Sequence, residues 1–199
     1  SCLSNHQLAY DDNDKEYRSM FDHMIQKQTN HLLNEIKNSK DLENKIIGCT
    51  AIILTGLCYK INKNYLEIGL SFLKKITVSS IDNQGFTRSR NIKQLIFFLK
   101  YFVLIREWFK EAQVEVPDHI EENIYYFGQG YAFIRQNIAT DLLFNGNNKS
   151  NTYDLDNYLK RLGYKFKNEN KDYGGYIILK NKKICLAMDA GSSPNSKYT

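Results

Sequence analysis

The sequence is short of the residues that most often announce a mechanism. It holds four cysteines, four histidines, two prolines and one tryptophan in 199 residues. Cys2, Cys49, Cys58 and Cys185 match neither a zinc nor a thioredoxin spacing. Cys49 and Cys58 share one apolar helical run, too far apart along it for a disulfide, and read as small core residues. There is no HExxH, no GxSxG and no carboxylate array for two metals, so hydrolases of those classes have no support. The Gly128-Gln129-Gly130-Tyr131 stretch lacks the glycine spacing and preceding strand of a dinucleotide or phosphate loop. No metal and no cofactor are expected. The longest apolar runs, Ile46 to Tyr59 and Leu95 to Ile105, fall short of the ~18 residues a membrane span needs. No basic block stands out and the net charge is only +5, so no nucleic-acid partner is expected.

What is present fits a folded globular chain. Hydrophobic residues make up 42% and charged residues 25%, which argues against disorder, collagen and simple repeats. The length allows one domain, or one domain and part of another. Aromatic residues reach 13%, with 14 tyrosines. Such surfaces suit sugars and other amphipathic ligands, and they also serve as plain core and rim. The modest positive charge suits a polyanion, such as a uronate-containing glycan.

Apolar residues recur at helical spacing through most of the chain. Helices are predicted over about Lys15–Lys37, Glu43–Lys60, Tyr65–Thr77 and Asn91–Ala112. Another starts near Pro117 and extends towards Leu143. Ser39 or Asp41 is the candidate cap of the second, Ser89 or Asn91 of the fourth. Five antiparallel helices on short links form helical hairpins with no crisp internal repeat. The polar run 144–151 marks the best boundary. A short helix at Asp154–Arg161 follows. Tyr173–Leu179, a Lys-Asn-Lys-Lys turn and Ile184–Asp189 then read as a β-hairpin.

Three clusters could carry chemistry. Asn30, His31, Asn34 and Glu35 lie on one predicted helix, with His31 and Glu35 four residues apart on a shared face. A carboxylate there can fix the imidazole tautomer, and an Asn amide can bind a substrate carboxylate. An exposed polar helix face is the plainer reading of the same residues. Arg88, Ser89, Arg90 and Asn91 stand where a loop enters a helix, a place for a bidentate anion clamp or for a cap with solvated arginines. Tyr125, Tyr126, Gly128, Gly130, Tyr131 and Arg135 could line a sugar groove or form an interhelical packing face.

Several short stretches, taken in order, resemble the heparinase II/III-like polysaccharide lyases and their bacterial relatives. They are Thr29-Asn30-His31-Leu32, Gly85-Phe86-Thr87-Arg88-Ser89-Arg90-Asn91, Leu143-Phe144-Asn145-Gly146, Tyr173-Gly174-Gly175-Tyr176 and Met188-Asp189-Ala190-Gly191. The resemblance implies a mainly α chain of antiparallel helical hairpins. These would belong to an incomplete α/α toroid over residues 1–146, followed over 147–199 by a linker and the opening strands of a β-sandwich. It implies a larger parent protein, of which this chain is a window, inactive by itself. The implied chemistry is β-elimination on uronic-acid glycans. Asn30 would neutralise the substrate carboxylate and His31 would bind substrate or help abstract the proton. Arg88, Arg90, Asn91, Glu35 and Tyr131 would contact substrate. The implied partner is an acidic polysaccharide, met in the periplasm or outside the cell. Where the family places a tyrosine soon after the second motif, this chain has Ile92-Lys93-Gln94-Leu95. Its last histidine is His119, so the sandwich histidine has no counterpart here. The alternative expectation is a non-catalytic carbohydrate-binding or structural helical module.

Overall fold

The computed structural model describes residues 15–59, 64–137, 144–145 and 153–193. Among the described residues six helices are followed by three strands. The helices are α1 (Lys15–Asn38), α2 (Leu42–Cys58), α3 (Tyr65–Ser80), α4 (Ile92–Glu111), α5 (Asp118–Asn137) and α6 (Tyr153–Arg161). The strands are β1 (Asp172–Tyr173), β2 (Tyr176–Lys180) and β3 (Cys185–Asp189). The chain is thus mainly helical, with large paired helices leading into a small open antiparallel sheet. Among the described residues no helix is long and apolar enough to cross a membrane. The first 14 residues, the expected extension towards Leu143 and the polar run from 146 lie outside the described residues, as does the boundary expected after residue 146.

The chain divides into two compact units. The first comprises Ser1–Ile76 with Ile105–Glu115, the second Thr77–Leu104 with Val116–Thr199.

In the first unit α1 packs along α2. Asp41 caps α2: its Oδ1 accepts from Glu43 N at 2.9 Å and Asn44 N at 3.4 Å, meeting donors that have no partner inside the helix. Ile36, Ile46, Cys49, Ile52, Ile53, Tyr65 and Leu73 are buried. Thr29 Oγ1 donates to Ile25 O at 2.7 Å and lies 3.5 Å from Thr55 Oγ1, a polar tie between α1 and α2. Glycines set how closely the helices approach. A Cβ on Gly56 would stand 2.7 Å from Leu66 Cα, and one on Gly69 would stand 2.8 Å from Ile53 Cγ1.

The second unit is built on aromatic packing. Phe86, Phe98, Phe102, Phe127, Phe133 and Tyr176 are fully buried. Phe127 meets Phe98 and Phe102 at centroid distances of 5.7 and 5.3 Å. Phe86 meets Tyr173 and Tyr176 edge-on at 6.0 and 5.9 Å, which fastens the sheet to the loop before α4. That loop is shaped by Asp82, whose Oδ1 accepts from Gln84 N at 2.8 Å and Phe86 N at 2.9 Å.

Among the described residues the C-terminal region forms three strands where the sequence suggests two. Gly174 and Gly175 have φ of 59° and 81° and make a two-residue turn between β1 and β2, with Tyr173 opposite Tyr176. Two successive left-handed residues are what a tight hairpin turn requires. The side chain of Gln84 secures the turn by accepting from Gly174 N at 3.3 Å, and its carbonyl accepts from the Tyr173 hydroxyl at 2.7 Å. β2 then pairs with β3, Ile177 opposite Met188 and Leu179 opposite Leu186. One sheet face buries Tyr176 and Ile178, while Leu179, Ile184, Leu186 and Met188 are exposed.

Candidate functional site

In the first unit Asn30 and His31 lie on α1. Asn30 is half-buried and its Oδ1 accepts from the Tyr65 hydroxyl at 3.1 Å. Tyr65 opens α3 and is only 1% exposed. Burial pushes its phenol above the ordinary value, so the proton stays on and the hydroxyl remains a donor. His31 and Glu35 are both exposed, one turn apart. The first unit therefore supplies an amide held by a protonated phenol, with an exposed imidazole at the next helix position. Sequence reading did not single out Tyr65. Its only signal is a large aromatic at the first position of a helix.

In the second unit the two arginines of the Arg-Ser-Arg-Asn stretch have different fates. Arg88 is exposed, and Arg90 is 9% exposed with φ 52°. Arg90 Nη2 lies 2.5 and 2.6 Å from the two carboxylate oxygens of Asp189. The guanidinium lies 5.9 Å from the Tyr176 ring centroid, a cation–π contact. Its Nε and Nη1 are buried without a hydrogen-bond partner among the described residues. Gly175 and Gly191 leave room for it; a Cβ on Gly175 would lie 3.0 Å from Nη1. The Tyr176 hydroxyl donates to Arg90 O at 2.5 Å, and Asn145 Nδ2 donates to the Tyr176 hydroxyl at 2.9 Å and to Asp189 at 3.1 Å. Burial raises the Tyr176 phenol, which keeps it a donor.

Asn91 is the cap of α4. Its Oδ1 accepts from Lys93 N at 2.9 Å and Gln94 N at 3.3 Å, while Nδ2 donates to Asn145 O at 3.0 Å. Ser89 supports it from the loop by accepting from Asn91 N at 3.2 Å. Arg90, Asn91, Asn145, Tyr176 and Asp189 thus form one polar knot joining the start of α4 to β2 and β3. Four short motifs that looked separate in sequence meet in it: Arg-Asn, Phe-Asn, Tyr-Gly-Gly-Tyr and Met-Asp-Ala-Gly.

Tyr131 stands on α5 in the same unit. Its hydroxyl donates to the Asp156 carboxylate, which Arg135 Nη2 meets from the other oxygen at 2.8 Å. Burial and then the Asp156 bond push this phenol well above its ordinary range. Tyr125 and Tyr126, one turn earlier, are exposed and packed edge-on at 5.5 Å. Among the described residues no group of three or more His, Cys, Asp or Glu could hold a metal ion.

Comparison with protein-family models, with curated proteins and with solved structures finds no match for the chain.

Proposed function

We propose that the chain is the helical and early β-strand part of a polysaccharide lyase that cleaves uronic-acid glycans by β-elimination. The supporting observation is the Asn30–Tyr65 hydrogen bond, 3.1 Å, with His31 exposed at the next position of the helix. In this reading the Asn30 amide nitrogen donates to the uronate carboxylate and drains charge from the carbon beside it. His31 takes the proton from that carbon. The electron pair left behind forms the new carbon–carbon double bond and expels the glycosidic oxygen, which takes a proton from solvent water, while the proton held by His31 is released to solvent. Tyr65 is a positioning residue that holds the Asn30 amide in one orientation. The localisation that goes with such a substrate is periplasmic or extracellular.

A second reading is favoured by the exposed Tyr125 and Tyr126: a module that binds carbohydrate without cleaving it. One experiment separates the two. The full-length natural protein carrying this chain is incubated with polyglucuronate, polygalacturonate, alginate, hyaluronan and heparan sulfate, and the ultraviolet absorbance of the unsaturated product is followed. The lyase reading expects a rise with at least one polymer, abolished by His31→Ala and by Asn30→Ala. A flat trace with every polymer, together with retardation on an immobilised glycan, establishes the binding module in its place.

A further inference from the structure

An open cavity of about 370 Å³ lies within the second unit, between α5, α6 and the segment that follows α6. Its charge is lopsided. Arg135, Lys160, Lys165 and Lys167 line it, against a single carboxylate, Asp156. That carboxylate is already engaged by Tyr131 and Arg135. The three lysines are exposed, and none has an ion-pair partner among the described residues. Like charges gathered on one rim repel each other, and a bound anion relieves the repulsion.

The floor has a different character. Ala132 and Leu159 are 3% and 4% exposed. Phe166 is half-buried and lies against Gly128, where no Cβ intervenes. The Tyr164 and Phe166 rings lie 5.5 Å apart at 31° and present an aromatic wall. A small inorganic anion would satisfy the rim and leave the floor wet. A neutral sugar would cover the floor and leave the cations unmatched. A ring with an apolar carbon face and a carboxylate uses both.

We propose that this cavity is a binding subsite for a uronate ring of an acidic oligosaccharide. The choice of ligand rests on the glycan reading above, while the elimination chemistry plays no part in it. The carboxylate meets Lys165, Lys167 and the exposed edge of Arg135, and the ring lies on Phe166 and Tyr164. The Tyr131–Asp156–Arg135 chain keeps the guanidinium in place.

The test is a titration of the isotope-labelled chain with trigalacturonate, followed by amide NMR. Galactotriose and inorganic phosphate are run in parallel. Saturable shifts are expected at Arg135, Lys160 and the 164–167 segment, with binding weakened by added salt. The double variant Lys165→Ala/Lys167→Ala removes exposed side chains and keeps the native spectrum elsewhere. It should weaken binding about tenfold, as loss of two charge-assisted contacts predicts. The proposal is overturned by absence of saturable shifts, by shifts confined to other residues, or by unchanged affinity in the double variant. It is overturned equally if phosphate or galactotriose binds the same residues as tightly. Binding here without unsaturated product in the polymer assay leaves the subsite standing and removes the lyase reading; product formation without binding here does the reverse.

Discussion

Arg90 concentrates several unusual properties in one residue. It has a left-handed backbone, a buried guanidinium and two nitrogens without partners among the described residues. Such a residue is tolerable only because Asp189 meets the charge and Tyr176 offers its ring. Replacing Asp189 by Ala leaves the cation buried and unpaired. We expect a loss of about 3 kcal/mol in urea unfolding, at the low end for broken buried pairs because Asp189 keeps 22% of its side chain exposed. The double variant Arg90→Met/Asp189→Leu should lose less than the sum of the two single changes, and additivity would disprove the coupling. None of this is legible from sequence. Arg90 and Asp189 are 99 positions apart, and Asn30 and Tyr65 are 35 apart. Sequence spacing marks Asn30, His31 and the Arg-Ser-Arg-Asn stretch as candidates, but it does not say which arginine is exposed. Only the packing around Gly175 and Gly191 does that.

At the scale of elements, helices were the most readable feature because their apolar period is sustained over four or more turns. Leu95, Phe98, Leu99, Phe102, Ile105 and Phe109 trace one buried stripe along α4, and all are at most 1% exposed. The hairpin was harder. Tyr173 to Leu179 alternates like a single strand, and a Gly-Gly pair inside such a run reads as either a weak point or a turn. The side chain and carbonyl of Gln84, some 90 residues earlier, secure the turn. Two predictions belong here. Asp41→Ala removes the cap of α2 and should cost about 1 kcal/mol by thermal or urea unfolding. Gly56→Ala raises intrinsic helix propensity, yet its Cβ would meet the backbone of Leu66. We expect net destabilisation of about 1–3 kcal/mol. A stabilised variant would mean that α2 and α3 do not approach as closely as described.

Across the whole molecule, several ionisable groups shift the same way. Burial pushes the Cys49 thiol from 9.0 to about 12 and the Tyr173 phenol from 10.0 to about 12. Tyr65, Tyr131 and Tyr176 are raised as well. Each folded value lies above its unfolded one, so the folded state binds more protons in that interval. The stability these groups carry is complete below about pH 9 and is lost as pH rises towards 12. The urea midpoint should fall steadily across that range, and Cys49→Ala should delay its onset. A midpoint constant from neutral pH to 12 would contradict the burial of these groups.

The outer face of the sheet also governs how the chain behaves in quantity. β3 pairs only with β2 among the described residues, and Leu179, Ile184, Leu186 and Met188 lie exposed beside that open edge. A strand edge next to an apolar face is a template for adding further strands. In a concentrated sample the chain should therefore polymerise before it unfolds, and light scattering should rise at temperatures where the helical signal is intact. Leu186→Lys places a charge in the middle of the face and should suppress that scattering at little cost in stability. Turbidity would then be a local property of four residues, curable without touching any of the candidate binding groups.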